Sequence, residues 1–491
     1  MCKKKIMFKY FILLPIFLVL NIFLLNGQSV NSKGKLGQPV EIKNADSLVG
    51  VRIADEGEIR RYEGHVWFEQ GNIVLRCGEA VHYTGGNSVD LSGNVEITQG
   101  EMRLRSPHIF YNGKTGIATS KDTITLFDKN TYLSARSGEY NTETQIVNFY
   151  GSVRIDADSV VIDCDTLEYS RLSLIAKAFG NVKIEDDSVI ILSDKAEHRR
   201  TEKESHAVGM VNVIGKYNGI TMTADTVFHK NMDNYTYCSG SPVLYMIEND
   251  SGNATELDSV YSENDSLTEK QSNMPASNKK IIRQDTLSIS SNRIIAMRYA
   301  GEDRALFDGD AEIIRGNISA RSAYAFYNKT KEYVFLKGPA TVWYDSTQLH
   351  ADSITIFMSK SKLKLIEGAG NAFSLTVTDT AHADLQSQLS GNEIRIIFEN
   401  DSLRFIRTNG NSRSLYFTSP TDSSEGGGAS ASADSILISM EEGQLDRIDW
   451  IGGVQGKYIP ESMILANPKE YYLPGYRCSY DKPRRKPLLL R

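Results

Sequence analysis

The residue types that make and break bonds are present in this chain, but not in arrangements that do so. Four acids crowd one segment, Asp156, Asp158, Asp163 and Asp165. Such a group could form a carboxylate pair for acid–base work or hold calcium. Asp163 and Asp165 share one face of an alternating segment but flank a corner, so they read as solvated turn acids. The eight histidines show no HExxH or related spacing. His65, His82, His198 and His229 take ordinary strand positions, where a structural role is expected. Cys2, Cys77, Cys164, Cys238 and Cys478 lie far apart without a CxxC pair, which argues against zinc. Cys77 and Cys164 sit inside strand patterns, where cysteine acts as a small buried hydrophobe. A disulfide is permitted in an exported chain, but the spacing pairs none of them. No GxSxG turn, P-loop or dinucleotide fingerprint occurs in a suitable setting. The expectation is no catalysis, no metal and no cofactor, which leaves binding.

The residues suited to binding are β-branched, and they recur. Gly93-Asn94-Val95-Glu96-Ile97 is echoed by Gly151-Ser152-Val153-Arg154-Ile155, Gly180-Asn181-Val182-Lys183-Ile184 and Gly209-Met210-Val211-Asn212-Val213. Gly64, Gly93, Gly151, Gly180 and Gly209 are spaced by 29 residues or twice that, with a degenerate copy at Asp122-Thr123-Ile124 in the double gap. The 29-residue spacing resumes at Gly309 and Gly338, with weaker copies near Gly370, Gly410 and Gly453. A second signature precedes each glycine. Asp158-Ser159-Val160-Val161-Ile162 aligns with Asp187-Ser188-Val189-Ile190-Ile191, and Ala351-Asp352-Ser353-Ile354 with Ala433-Asp434-Ser435-Ile436.

These motifs dictate their own secondary structure. Val182 and Ile184 alternate with Lys183, and Leu167 and Tyr169 flank Glu168, the period of two of a half-buried strand. The glycine before each strand marks a turn or bulge that excludes a Cβ. The mid-unit acid (Asp165, Asp194, Asp225, Asp352, Asp434) marks a corner, where its side chain can bond its own backbone. One unit of two or three short strands cannot bury its apolar face alone, so neighbours must stack. The fold predicted is an all-β stack of about twelve two-strand units, its first stretch at 46–247 and its second at 285–456. Between them, 248–284 is polar and unpatterned and reads as an insertion loop, as does 419–431 with its glycine triplet. Both fall at the same phase of the unit and should project from one edge.

Composition supports an exported folded protein. The chain has 491 residues, 41% hydrophobic and 24% charged, a globular balance too long for one ordinary core. Residues 1–27 join a lysine-rich start to an apolar run from Tyr10 to Leu25, the form of a secretory signal or a retained anchor. They hold four lysines and no acid, so their removal takes the formal charge from −6 to −10. An acidic mature chain is a poor nucleic-acid binder. Residues 457–491 lie outside the repeat. Their basic end (Lys482, Arg484, Arg485, Lys486, Arg491) reads as solvated.

The alternation of Ala-Asp-x-Φ and Gly-Asn-Val-x-Ile strands resembles the OstA/LptA-like family of organic-solvent-tolerance and lipopolysaccharide-transport proteins of the periplasm, over about 46–456. The length is similar to that of long Bacteroidota-type members. The resemblance implies an elongated β-jellyroll whose interior shelters lipopolysaccharide acyl chains, in the periplasm or on an inner-membrane anchor. It implies joining to other jellyrolls of the transport machinery edge to edge, with self-association as another use of the same edges. The inward, lipid-facing residues it implies are Val95, Ile97, Val153, Ile155, Leu167, Tyr169, Val182, Ile184, Val211 and Val213. A buried acyl chain gains about 0.8 kcal/mol per methylene. The same residues could instead close a dry core. No run of barrel strands with aromatic girdles follows the stack, which sets aside the outer-membrane barrel member of that pathway. Two other readings stay open: an exported β-solenoid that binds or degrades polysaccharide, and an envelope scaffold or adhesin.

Overall fold

The computed structural model describes residues 38–53, 57–246, 286–359, 362–377, 385–399, 402–418, 426–441 and 444–487. The expected signal segment 1–27, the insertion 248–284, residues 419–425 and the last four residues lie outside them.

Among the described residues, thirty strands join in one antiparallel sheet. Successive strands mostly pair with their sequence neighbours, and Ile146–Ala157, Val160–Ser170, Ile175–Glu185, Val189–Arg199, Glu204–Gly215 and Ile220–Lys230 form one such run of strands 11 or 12 residues long. Most glycines of the repeat lie inside a continuous strand rather than ahead of one. Gly180 sits mid-strand, and the register shifts between Phe179 and Val182 as the strand passes its neighbour. Gly180 and Asn181 both have positive φ, 74° and 45°, so the strand turns through a bulge at that point. A Cβ on Gly180 would lie 3.0 Å from the Cβ of Asp165 on the adjacent strand. That approach, together with the left-handed backbone, requires glycine. The repeating acid is thus explained, with a correction. Asp165 accepts a hydrogen bond from Asn181 Nδ2 at 2.8 Å, and Asp352 one from Asn371 at 2.9 Å. In these two units the side chain ties down the bulge of the next strand, not its own backbone. The last glycine of the series is Gly452, which meets Asp434, one residue before the expected Gly453. Where the repeat lacks its glycine, at Asp122, the strand breaks into Ile117–Ser120 and Ile124–Asp128.

The bulges fold the sheet onto itself. Tyr62 and Phe68 belong to one strand, Gly57–Gln70, either side of Gly64. Their rings nevertheless meet edge to face at 5.2 Å, because the two arms of the strand face each other. Inward side chains from both arms fill the space between, in one apolar cluster that runs from Val40 to Ile436. The sheet crosses the insertion without a gap: Tyr235–Ser239 pairs with Arg293–Tyr299, and Val243–Met246 with Leu287–Ser290. The all-β, elongated β-jellyroll expectation holds.

Two regions differ from their sequence reading. The glycine triplet is not wholly loop, since Gly427 and Gly428 begin the strand Gly427–Glu441. A Cβ on Gly428 would lie 2.9 Å from Ile464 Cδ1, so the absence of side chains lets a later segment pack there. That segment is the C-terminal tail, which is not a free solvated end. After the strand Gln455–Pro460 and the short helix Glu461–Ala466, the chain runs back over the outside of the second stretch. Leu473 N–H donates to Gln388 Oε1 at 2.8 Å, and Ser479 N–H to Gln348 Oε1 at 2.8 Å. Ser479 O accepts from Trp343 Nε1 at 3.3 Å. Arg485 donates to Thr286 O at 2.8 Å, and Tyr245 Oη to Pro487 O at 2.9 Å. The physical reason lies in the strands beneath. Phe373, Leu375, Leu415 and Phe417 point outward and are buried in a second cluster with Ile459, Ile464 and Leu473. In the first stretch, outward positions instead carry charge pairs such as Arg105–Glu96 and Arg154–Asp163.

Candidate functional site

The ten implied lipid-facing residues all point into the interior. Val95, Ile97, Val153, Ile155, Leu167, Tyr169, Val182, Ile184, Val211 and Val213 are at most 3% exposed and belong to one cluster. Around Ile155 and Tyr169 the interior is closed. The cavity beside Ile155, Ile162 and Tyr169 holds about 10 Å³, the space of a single water at most. Alternation therefore placed the side chains, while the closure comes from contacts that alternation does not report.

Those contacts are polar latches between the ends of facing strands, about 43 residues apart. Gln70 Nε2 donates to Gly113 O at 2.9 Å, and Gln99 Nε2 to Thr142 O at 3.0 Å. Arg171 Nε donates to Asp128 Oδ2 at 2.8 Å, and Arg200 Nε to Asp158 Oδ2 at 2.7 Å. His229 Nε2 lies 2.9 Å from Asp186 Oδ2. Asp158 is therefore a latch residue and not a purely solvated acid. Arg171 and Asp128 are each only 9% exposed. Burial opposes the Arg171 charge, but the hydrogen bond to Asp128 and the nearby Tyr140 hold its pKa above the usual value. Burial acts against the Asp186 carboxylate too. The bonds from His229 and the N–H groups of Val189 and Ser188 outweigh it and bring the pKa down to about 2. Sequence reasoning missed the latches. Gln70, Gln99 and Asp128 are 29 residues apart, as are Arg171, Arg200 and His229. The phase was there to find, but the residue types change from unit to unit.

The latch series skips its next phase. The position 29 residues after Asp186 is Gly215, which has no side chain to offer. Here the interior opens into a cleft of about 330 Å³, lined by Gly215, Val213, Ile220, Met222, Leu244 and Tyr327 among others. That volume lies at the lower end of ligand cavities, about 300–1,000 Å³. Arg298, Asp303, Arg304 and Lys329 also line it.

His198 makes the interior acid-sensitive. Its Nδ1 lies 2.9 Å from Ser205 Oγ, and burial lowers its pKa to about 4. The unfolded chain takes up this proton near pH 6.5 and the folded chain only near 4, so stability falls as pH drops through that window. The expected loss attributable to His198 is roughly 3 kcal/mol. Urea unfolding at pH 7 and pH 4.5 should show a smaller acid loss for His198→Gln than for the unaltered chain. Equal losses in both would remove His198 as a cause.

No metal-holding group of histidine, cysteine, aspartate or glutamate occurs among the described residues. Asp163 is paired with Arg154 at 2.9 Å, and Asp165 holds the bulge. Cys77, Cys164 and Cys238 are buried free thiols, each pushed up to about 12 by burial. No helix among the described residues is long and apolar enough to cross a membrane.

Comparison with curated proteins gives no match. A solved structure to which part of the chain is similar is LptH of Pseudomonas aeruginosa, described as the LptA homologous periplasmic component of the conserved lipopolysaccharide transport device. It is 13% identical, at a TM-score of 0.21, over 27% of this chain and 92% of LptH. Residues 37–152 match the family described as OstA-like protein. That stretch contains the motifs at Gly64 and Gly93 and the first latches, and the same unit continues beyond it. The resemblance carried by the repeat is thus borne out at residues 37–152, which match the OstA-like family.

Proposed function

We propose that this protein binds lipopolysaccharide through its acyl chains and passes it across the periplasm toward the outer membrane, making and breaking no covalent bond. One observation carries the reading: a single apolar interior runs from Val40 to Ile436, built in the first stretch largely from in-phase β-branched residues. In this reading Val95, Ile97, Val153, Ile155, Leu167, Tyr169, Val182, Ile184, Val211 and Val213 are the lipid-facing positions. The closed interior is the unloaded form, and lipid enters where the walls part. A full acyl chain would gain about 10 kcal/mol gross before binding costs. The work of parting the latched walls offsets part of that gain and keeps the load exchangeable between neighbouring positions. The stretches 46–247 and 285–456 act as two parts of one conduit.

Partners follow from the sheet's ends. Among the described residues, the strand Ser47–Ile53 pairs with Gly57–Gln70 alone and has no partner on its other edge. Leu48 and Val49 on it are 56% and 60% exposed. The strand Gln444–Ile451 is likewise paired on one side, to Gly427–Glu441. Open edges of this kind recruit further strands, so other jellyrolls of the transport machinery, or a second copy, would add here. Depleting the protein in its own cells should leave lipopolysaccharide in the inner membrane. Normal surface lipopolysaccharide after full depletion would contradict the proposal.

A further inference from the structure

We infer that the cleft at Gly215 is a lateral port that binds one acyl chain of an anionic amphiphile, with the acidic head group held at Arg298, Arg304 and Lys329. The inference deepens the carriage reading and rests on it only for where the chain goes next.

Three observations meet at this place. First, among the described residues no latch closes this point. Asp186–His229 closes the wall on one side of the cleft, and Gly215 stands where the next latch side chain would be. Second, the floor is the apolar interior itself. Val213, Met222, Leu244, Ala305 and Tyr327 are buried members of the main cluster and also line the cleft. A chain seated on them would replace an opening with the contacts that the rest of the interior makes. Third, the rim is cationic. The lining holds Arg298, Arg304 and Lys329 against one acid, Asp303. Arg298 is 61% exposed, with Asp303 at 3.8 Å, a loose pair that leaves its guanidinium able to take a second anion. Arg304 is held by Glu302 at 2.7 Å and Lys329 by a bond to Asn218 O, so their positions are fixed at the mouth. An apolar pit with a few fixed cations at its lip matches a long tail bearing one anionic group. It does not match a neutral glycan, which needs polar partners along its length.

The test uses the purified protein, with dodecanoate and the neutral detergent dodecyl maltoside as probes, both below their micellar concentrations, followed by titration calorimetry. One dodecanoate should bind per chain. Ala296→Phe, which fills the cleft from its wall, should weaken dodecanoate at least tenfold. Arg298→Glu changes an exposed side chain and leaves the core intact. It should weaken dodecanoate several-fold and leave dodecyl maltoside unchanged. Failure of the unaltered protein to bind dodecanoate, or equal affinity in Ala296→Phe, overturns the port. Cross-linking of lipopolysaccharide from interior positions separates this from the carriage reading. If cross-links persist while Ala296→Phe binds dodecanoate normally, the port is wrong and carriage stands. If dodecanoate behaves as expected and no lipopolysaccharide cross-link forms, carriage is wrong and the cleft is a site for simple fatty acids.

Discussion

Replacing Arg171 with methionine should destabilise the first stretch of the stack by about 3–5 kcal/mol, the usual cost of leaving one partner of a buried ion pair uncompensated. Arg171 bonds Asp128 at 2.8 Å, Tyr140 Oη at 2.9 Å and Gln145 Oε1 at 3.2 Å. Methionine keeps much of the side-chain volume and none of these bonds. It strands the Asp128 carboxylate, which is 9% exposed, next to apolar neighbours. The double replacement Arg171→Met with Asp128→Leu should recover most of the loss, because a well-packed apolar pair is often as stable as the ion pair it replaces. Urea unfolding of the two single variants and the double variant gives the coupling directly. Hydrogen exchange should accelerate in the strands at 131–135 and 167–170 in the single variant, where the walls are no longer held together. A single-variant cost under about 1 kcal/mol, the range of exposed pairs, would show that the latch does not hold the interior closed.

Truncating the chain after Pro460 should cost on the order of 5 kcal/mol and make the protein self-associate. The segment removed covers Phe373, Leu375, Leu415 and Phe417 from outside. A fully buried side chain of this kind is worth about 1.5–3 kcal/mol. The tail covers one side of each, so their combined loss is less than the sum of four full burials. Uncovered, these residues form an apolar strip on a sheet surface, which invites association. Light scattering and binding of a hydrophobic dye should both rise in the truncated chain. A monomeric truncated protein with unchanged unfolding would mean that the tail rests on the sheet without sealing it. The charged contacts of the tail, such as Lys486 to Glu312 at 3.8 Å, are exposed and contribute little beside the apolar cover.

The parts of this structure that were legible in the sequence are those governed by period. Alternation assigned Val182 and Ile184 to the interior, and the glycine spacing set the unit. The bulge was only half legible. A glycine with positive φ serves equally at the start of a strand or in the middle of one, and only the pairing of Phe179 and Val182 with the next strand decides between them. The latches were hidden because one geometric role is filled by Gln99, Asp128 and Asp186 in turn, with Thr142, Arg171 and His229 as partners. Period-based reading weighs apolar residues and passes over polar positions that keep their place but change their chemistry. The tail was misread for a related reason. Phe373 and Leu375 alternate with Ala372 and Ser374, and the pattern reveals that one face is apolar but not that this face is the outer one. That becomes apparent only when a second apolar layer lies upon it. Of the basic residues at the end, Lys486 then lies beside an acid of the sheet, Glu312.

The central claim is that the apolar interior carries lipopolysaccharide acyl chains. Its most direct test is site-specific photo-cross-linking in the cells that make the protein, with a photoreactive phenylalanine analogue placed at inward and outward positions of the same strands. Adducts with lipopolysaccharide are predicted from Ile97, Tyr169 and Ile184, whose side chains face the interior, and not from Glu96, Asp163 or Lys183, which face outward. Adducts from the outward positions alone, or none from any position in cells actively exporting lipopolysaccharide, would contradict the account and leave the interior as a closed core.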